Sequence, residues 1–122
     1  MAEKRMFSMK IIDTDEFLEL PVSAQNLYFQ LSMRADDDGF VGNPRTVARI
    51  VGSDEEDLTA LENKGFVILF RNGVAAIRHW RIHNVLPREY YRPTRYLSQI
   101  DKLTVGGDGA YLEKARSGPE NA

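Results

Sequence analysis

The dipeptide Asn72-Gly73 restricts the possible folds of this chain more than any other stretch of its sequence. It lies between two apolar runs, at 66–70 and 74–77, and both of its residues tolerate the positive φ angles of a tight turn. This pattern predicts a β-hairpin with a two-residue turn. The predicted register pairs Phe70 with Ala75, Leu69 with Ala76 and Ile68 with Ile77.

Both faces of this predicted hairpin are apolar, whereas a hairpin on a small domain normally exposes one face to water. Another layer of the structure must therefore cover the second face. Either the segment after Trp80 folds back over it, or another subunit covers it. We favour the second alternative slightly, and it predicts a homo-oligomer.

Three helices are predicted before the hairpin. Ser23 can cap the first helix, and its apolar face at helical spacing consists of Ala24, Leu27, Tyr28 and Leu31. Asn43-Pro44 can begin the second helix, because proline at the first helical position loses no hydrogen bond. The third helix is predicted to begin with a capping box of Ser53 and Glu56 and to end at Gly65.

Two further elements complete the predicted fold. Phe40-Val41 can form a short strand that pairs with the hairpin, and Pro93-Thr94 can begin a last helix that extends to Leu103. Three helices followed by a hairpin is the order of a winged helix-turn-helix, an α+β fold, here with an extra C-terminal helix. We predict an N-terminal arm at 1–12, the winged-helix domain at 13–104, and a flexible tail or linker start at 105–122.

Composition excludes several classes of function. The chain has no cysteine, which excludes a disulfide framework, a thiol nucleophile and a cysteine-based zinc site. No apolar run approaches the ~20 residues needed to span a bilayer, so we expect a soluble cytoplasmic protein with no membrane partner. No Ser/His/Asp order, phosphate-binding loop or pair of buried carboxylates is evident, so we expect a binding protein without a cofactor and not an enzyme.

Charge is distributed unevenly along the chain, although the net charge is only −2. Residues 1–70 carry a net charge of −6, whereas residues 71–100 carry +5, from six arginines and one glutamate. The third predicted helix is itself acidic, with five carboxylates between Asp54 and Glu62. Phosphates would repel such a helix, so we do not expect it to read bases in the major groove.

The segment Arg78–Tyr96, named here the basic-aromatic segment, alternates arginines with aromatic residues. Arginines neutralise phosphates and aromatic rings stack on bases, so this composition favours nucleic-acid binding. The candidate binding residues, including Arg71 at the hairpin turn, are Arg71, Arg78, Arg81, Arg88, Tyr90, Tyr91, Arg92 and Arg95. Alternatively, Trp80 and some tyrosines belong to the core, and the arginines pair with the acidic first half of the chain.

Two stretches suggest metal sites, and we predict that neither binds a metal. Asp36-Asp37-Asp38-Gly39 lacks the alternating ligands and closing glutamate of a calcium loop. We expect a solvated turn that attracts Arg45 or Arg49. His79 and His83 are four residues apart, which suits a metal only on a helix, and the surrounding sequence is typical of a strand.

Three stretches together resemble the N-terminal domain of phage replisome organisers, which are DnaD-like replication initiation proteins. They are Met6-Phe7-Ser8, the run 33–41 (MRADDDGFV) and the run 79–84 (HWRIHN), the last with Pro93-Thr94. The similarity covers roughly Arg5 to Tyr96. It implies a winged-helix domain that self-associates and helps to assemble a primosome, with helicase-loader or primosome proteins as possible partners. Family members usually continue into a second helical domain, and this chain stops where the linker to it would begin, so helicase loading is not expected of this chain alone.

Two functions from different classes remain. The first is a phage-type replication initiation domain that oligomerises and binds DNA non-specifically, through Arg71 and the basic-aromatic segment. The second is a protein-interaction module, in which the apolar hairpin face and the arginines bind an acidic partner. Affinity for DNA that falls steeply with salt favours the first, and no binding at low salt favours the second.

Overall fold

The computed structural model describes residues 4–114, which form a mixed α+β fold. These residues contain the helices α1 (Met9–Ile12), α2 (Asp15–Leu18), α3 (Val22–Met33), α4 (Pro44–Ile50), α5 (Glu55–Asn63), α6 (Trp80–His83) and α7 (Leu97–Ile100). They also contain the strands β1 (Phe40–Val41), β2 (Val67–Leu69), β3 (Ala75–Ile77), β4 (Leu103–Val105) and β5 (Tyr111–Glu113), and a 3-10 turn at Arg88–Tyr90. None of the helices in this part of the chain is both long and apolar enough to cross a membrane.

The predicted hairpin is present, but its register differs by one residue from the prediction. The observed pairs are Val67 with Ile77, Ile68 with Ala76 and Leu69 with Ala75. The backbone N–H of Phe70 donates to the carbonyl of Val74 at 2.9 Å, which leaves three residues in the loop. Gly73, the last of them, has a φ of 88°. A three-residue loop with its last residue in the left-handed region is the next commonest hairpin connection, and the extra residue shifts every pair.

β1 confirms the predicted short strand, since it pairs with β3 in a three-stranded antiparallel sheet of order β1-β3-β2. Phe40 lies opposite Ala76, so these two residues and Ile68 share one face of the sheet. The ring of Phe40 contacts the rings of Tyr96 and Tyr111, with centroids 6.3 Å apart in each case. The later part of the same chain therefore covers the second face, and that face gives no reason to expect a second subunit.

The helices contribute the other half of the core. The predicted apolar face of α3 is confirmed, because none of its four members is measurably exposed: Ala24, Leu27, Tyr28 and Leu31. Leu58 and Leu61 of α5 are equally buried. The ring of Tyr28 contacts Phe17 of α2 and Phe66 before β2, at centroid distances of 5.2 and 5.9 Å. A single aromatic cluster thus joins the helices to the hairpin.

The predicted helix caps are partly wrong. The capping box of α5 forms one residue later than predicted, between Asp54 and Asp57, whose carboxylates accept hydrogen bonds from each other's backbone N–H groups. Ser53 instead donates its hydroxyl hydrogen bond to the carbonyl of Ser23 at 3.0 Å. Ser23 does not cap α3 either, since its hydroxyl donates to Asp57 at 2.8 Å. Both serines therefore connect α3 to the start of α5.

The predicted last helix is present but shorter than expected, since α7 begins at Leu97 and not at Pro93-Thr94. α7 ends at Ile100, and Leu103 lies in β4, which pairs with β5 in a second hairpin. Residues 105–114, expected to begin a flexible tail or linker, continue this fold, and Tyr111 is only 3% exposed. The glycine-rich run makes the turn, with Gly109 at a φ of 93°. Residues 1–3 of the predicted arm and 115–122 of the predicted tail lie outside the described residues.

Candidate nucleic-acid interface

The acidic loop, defined as Asp36-Asp37-Asp38, is not the solvated turn that the sequence predicts. Asp38 is only 2% exposed. The hydroxyl of Tyr91 donates to both of its carboxylate oxygens, at 2.7 and 2.9 Å, and the backbone N–H of Thr94 donates to one of them at 2.8 Å. No contact of the acidic loop with Arg45 or Arg49 is found among the described residues, and Arg45 pairs with Glu55 at 2.8 Å instead. Asp38 therefore holds the far end of the basic-aromatic segment.

The other two carboxylates of the acidic loop make contacts of the same kind. Asp36 accepts a hydrogen bond from the hydroxyl of Thr94 and further bonds from backbone N–H groups of its own turn. Asp37 accepts from the backbone N–H of Arg92 at 3.0 Å. Among the described residues, no group of three or more metal-ligating side chains is suited to an ion. The acidic loop thus acts as a set of acceptors that fixes residues 91–94.

Trp80 lies at the centre of this arrangement and is only 4% exposed. Its indole N–H donates to the carbonyl of Asp37 at 2.9 Å, and its side chain fills the space beside Gly39. The hydroxyl of Tyr111 donates to the carbonyl of Asp38 at 2.7 Å. Part of the alternative interpretation is therefore correct, because Trp80 is a core residue and Tyr96 packs against the core. Tyr111, which lies outside the basic-aromatic segment, is also a core residue.

The predicted strand around His79 and His83 is wrong, because β3 ends at Ile77 and α6 begins at Trp80. The backbone N–H of Ser8 donates to Nδ1 of His83 at 2.8 Å, so that nitrogen carries no proton. The neutral ring then carries its proton on Nε2 and donates to the hydroxyl oxygen of Tyr28 at 2.6 Å. Both ring nitrogens have protein partners, which leaves neither to ligate a metal. Desolvation by burial, with a smaller effect of His79, lowers the pKa of His83 to about 4.

α6 also positions the N-terminal segment. Besides the contact of Ser8 with His83, the backbone N–H of Met6 donates to the side chain of Asn84 at 2.9 Å. The guanidinium of Arg5 lies over the ring of Trp80, 5.4 Å from its centroid, and donates to the carbonyl of Ala35 at 2.8 Å. The start of the described chain is therefore held against the acidic loop and α6.

These contacts leave two grooves on the surface, one on each side of residues 91–94. Groove 1 has a volume of about 610 Å3, and its polar wall includes Arg34, Asp36, Asp37, Asn43, Arg92, Arg95 and Tyr96. Groove 2 has a volume of about 740 Å3, and its wall includes Lys4, Arg5, Asp37, Asp38, Trp80, Arg81, Arg88 and Tyr91. Asp37 lines both grooves. Tyr91 lines groove 2, and the next residue, Arg92, lines groove 1. The two grooves are therefore neighbours.

The walls of the two grooves carry an excess of positive charge. They contain seven cationic residues against the three carboxylates of the acidic loop. Arg45 pairs with Glu55, whereas no ion pair with a carboxylate of the described residues is found for Arg81, Arg88, Arg92 or Arg95. The expected pairing of these arginines with the acidic first half of the chain is thus not seen. Their charge stays available to an anionic ligand.

The structure separates the eight predicted binding residues into groups. Arg81, Arg88 and Tyr91 line groove 2, and Arg92 and Arg95 line groove 1. Arg71, Arg78 and Tyr90 line neither groove. Arg71 is exposed in the hairpin loop, and Tyr90 is 66% exposed on the 3-10 turn.

Arg78 has a role inside the fold. Its guanidinium donates to the carbonyl of Tyr111 at 2.9 Å, which joins β3 to the second hairpin. Tyr91 is likewise constrained, because its hydroxyl is bound to Asp38. Desolvation, followed by this hydrogen bond and the charge of Asp38, raises the pKa of Tyr91 to about 12.

Three cationic residues of the grooves are absent from the predicted set: Lys4, Arg5 and Arg34. Lys4 and Arg5 are visible in the sequence as a basic arm, but only the contacts of residues 5–8 with α6 place them in groove 2. Arg34 follows the last residue of α3 and has no local pattern that marks it as a ligand-binding residue.

Comparisons of this chain with protein-family models, with curated proteins and with solved structures gave no match. The geometry and charge of the two grooves therefore carry the functional proposal.

Proposed function

We propose that this protein is a winged-helix domain of the phage replisome-organiser type, which binds DNA without sequence specificity during replication initiation. The order of elements supports the fold assignment. α3, β1, α4, α5, β2 and β3 follow one another along the chain, and the sheet has the order β1-β3-β2. Three helices with a small antiparallel sheet built from a hairpin and one short strand is the arrangement expected of a winged helix.

The excess of cationic residues in the two grooves carries the functional proposal. Phosphate contacts by lysine and arginine supply nearly all of the free energy of non-specific DNA binding. By contrast, α5 stands where a recognition helix would stand, and it exposes Glu55, Glu56 and Glu62. DNA would therefore bind in the grooves, which no residue of α5 lines, so an acidic α5 is compatible with DNA binding.

Self-association and contact with helicase-loader or primosome proteins are part of the same proposal. The apolar hairpin face, from which a homo-oligomer was predicted, is covered by Tyr96 and Tyr111 of the same chain. Another surface would therefore have to make the contacts with a second copy or a partner. Several apolar side chains are exposed on the helices, among them Val22 at 80% and Ile50 at 70%. The alternative of a pure interaction module through the hairpin face loses its apolar contact surface for the same reason.

The test is a fluorescence-anisotropy titration of labelled DNA at low and moderate salt, with light scattering to measure the mass of the protein. The double variant Arg88→Ala, Arg92→Ala removes one cation from each groove. The control Arg49→Ala, Lys102→Ala removes the same charge from exposed positions that line neither groove.

We expect binding that weakens steeply with salt, and a salt slope reduced by roughly 1.5 in the groove variant, since each phosphate contact contributes about 0.7–0.9. The control should change the slope much less. Equal losses in the two variants would show a general charge effect, and would remove the grooves from the proposal. No binding to any DNA at low salt would overturn the proposed function.

A further inference from the structure

Grooves 1 and 2 meet at residues 91–94, which are named here the bridge. Tyr91 lines groove 2 and Arg92, the next residue, lines groove 1. The bridge is held from beneath by the acidic loop, through Tyr91, Thr94 and the backbone of Arg92. A flexible polyanion could therefore pass from one groove to the other over a fixed surface.

The cationic residues lie on concave walls. A DNA duplex is read by a convex element, such as a helix or a two-stranded ribbon, which enters its major groove. Among the described residues, the elements that a winged helix would present to a duplex are α5, which is acidic, and the first hairpin, whose loop carries one cationic residue, Arg71. A single strand, by contrast, can follow a concave cationic path with its phosphates.

An exposed aromatic ring belongs to the 3-10 turn that directly precedes the bridge in the sequence. Tyr90 is 66% exposed, and its hydroxyl has no hydrogen-bond partner among the residues that the structure describes. It belongs to the 3-10 turn and lies between Arg88 of groove 2 and Arg92 of groove 1 in the sequence. Stacking of an unpaired base on such a ring stabilises the complex and needs no particular base. In a duplex, the bases are already stacked and cannot reach the ring.

We propose that grooves 1 and 2 form one track for single-stranded DNA, with phosphates bound by the groove arginines and a base stacked on Tyr90. This inference rests on the proposed function and specifies its ligand. It adds Arg34 of groove 1 and Lys4 of groove 2 to the residues that contact DNA.

The experiment compares a labelled oligo(dT) of about 20 nucleotides, longer than many single-domain sites, with a duplex of the same length. A third probe keeps the phosphates of the oligo(dT) but has no bases. Anisotropy titrations of the unmodified protein, Tyr90→Ala and Tyr90→Phe are made at two salt concentrations. The exposure of Tyr90 means that neither substitution should disturb folding, and thermal unfolding of each variant checks this.

The unmodified protein should bind the oligo(dT) at least about ten-fold more tightly than the duplex. Tyr90→Ala should weaken binding of the oligo(dT) about five-fold or more, whereas Tyr90→Phe keeps the ring and should bind as the unmodified protein does. The probe without bases should bind more weakly than oligo(dT) and should not distinguish Tyr90→Ala from the unmodified protein. Arg34→Ala should also weaken binding of the oligo(dT), while Arg49→Ala should not.

Tighter or equal binding of the duplex would overturn the single-strand track and leave the proposed function standing. An oligo(dT) affinity that is insensitive to both Tyr90→Ala and Arg34→Ala would also overturn it, because the strand would then follow another path. Absence of binding to all three probes would overturn both proposals together.

Discussion

The hydroxyl of Tyr91 donates to both carboxylate oxygens of Asp38, at 2.7 and 2.9 Å, across 53 positions of the sequence. This contact joins the most acidic turn of the chain to its most arginine-rich segment. It also fixes the bridge of residues 91–94 between the two grooves. A charged group that is 2% exposed needs such partners, because an unpaired buried carboxylate would cost several kcal/mol.

Tyr91→Phe should lower the free energy of unfolding by about 1–2 kcal/mol, because it removes one hydroxyl donor from Asp38 and leaves the N–H of Thr94 in place. Urea denaturation at neutral pH measures this change. Tyr90→Phe is the matched control, since its hydroxyl is exposed, and it should change stability by less than about 0.5 kcal/mol. Equal effects of the two substitutions would mean that the Tyr91–Asp38 contact contributes little.

Acid should destabilise the protein through His83. Burial lowers the pKa of this side chain from 6.5 to about 4, so the folded state keeps the ring neutral while the unfolded state takes up a proton. Stability is therefore fully present above pH 6.5 and falls as the pH decreases from 6.5 towards 4, by up to about 3 kcal/mol.

Unfolding of the unmodified protein and of His83→Gln at pH 7 and pH 5 tests this dependence. Carboxylates contribute to the slope in both proteins, so the difference between them isolates His83. The slope should be smaller in the variant, and an NMR titration of His83 should show an acidic midpoint. A midpoint near 6.5 would show that the ring is hydrated and that its bonds to Ser8 and Tyr28 do not persist.

Gly39→Ala should destabilise the fold strongly, by roughly 2–4 kcal/mol. The residue has a φ of 88°, and an added Cβ would lie 2.6 Å from the Cβ of Trp80. Gly107→Ala is the control, because an added Cβ there has no neighbour within 4 Å. Thermal or urea unfolding of the two variants should separate them clearly, and a mild effect at Gly39 would contradict the close approach of Trp80 to the acidic loop.

Lys4→Ala should weaken DNA binding without changing stability, because Lys4 is exposed and lines groove 2. The salt slope should fall by about 0.7–0.9, the contribution of one phosphate contact. Lys10→Ala removes the same charge from an exposed position of α1 that lines neither groove, and it should bind as the unmodified protein does. Anisotropy titration measures both variants, and an unchanged slope in Lys4→Ala would exclude the N-terminal segment from the interface.

Local patterns in the sequence predicted the three longest helices and the three-stranded sheet of this fold. Helical spacing predicted the buried face of α3, and Gly65 marked the end of α5, where it has a φ of 81°. Asn72-Gly73 predicted the first hairpin. These features are local because they depend on φ/ψ preferences and on the period of apolar residues within one element.

Local patterns could not decide between neighbouring residues that suit the same turn or cap. A two-residue and a three-residue loop both suit Asn72-Gly73, and packing of the sheet decides between them. Ser53 and Asp54 are both good caps, but Ser53 donates to the carbonyl of Ser23 instead. The run from Gly106 to Gly109 has the composition of a linker, yet it makes a turn because Tyr111 has a buried site to fill.

The sequence by itself determined the helices α3, α4 and α5, the first hairpin and the arginine-rich composition of the basic-aromatic segment. Only the tertiary structure decided that Asp38 is buried under Tyr91, that Tyr96 and Tyr111 cover the sheet, and that Lys4 and Arg34 join the grooves. The reason is physical. A carboxylate can accept hydrogen bonds from any donor that the fold brings near it, and no local pattern specifies a donor more than 50 positions away.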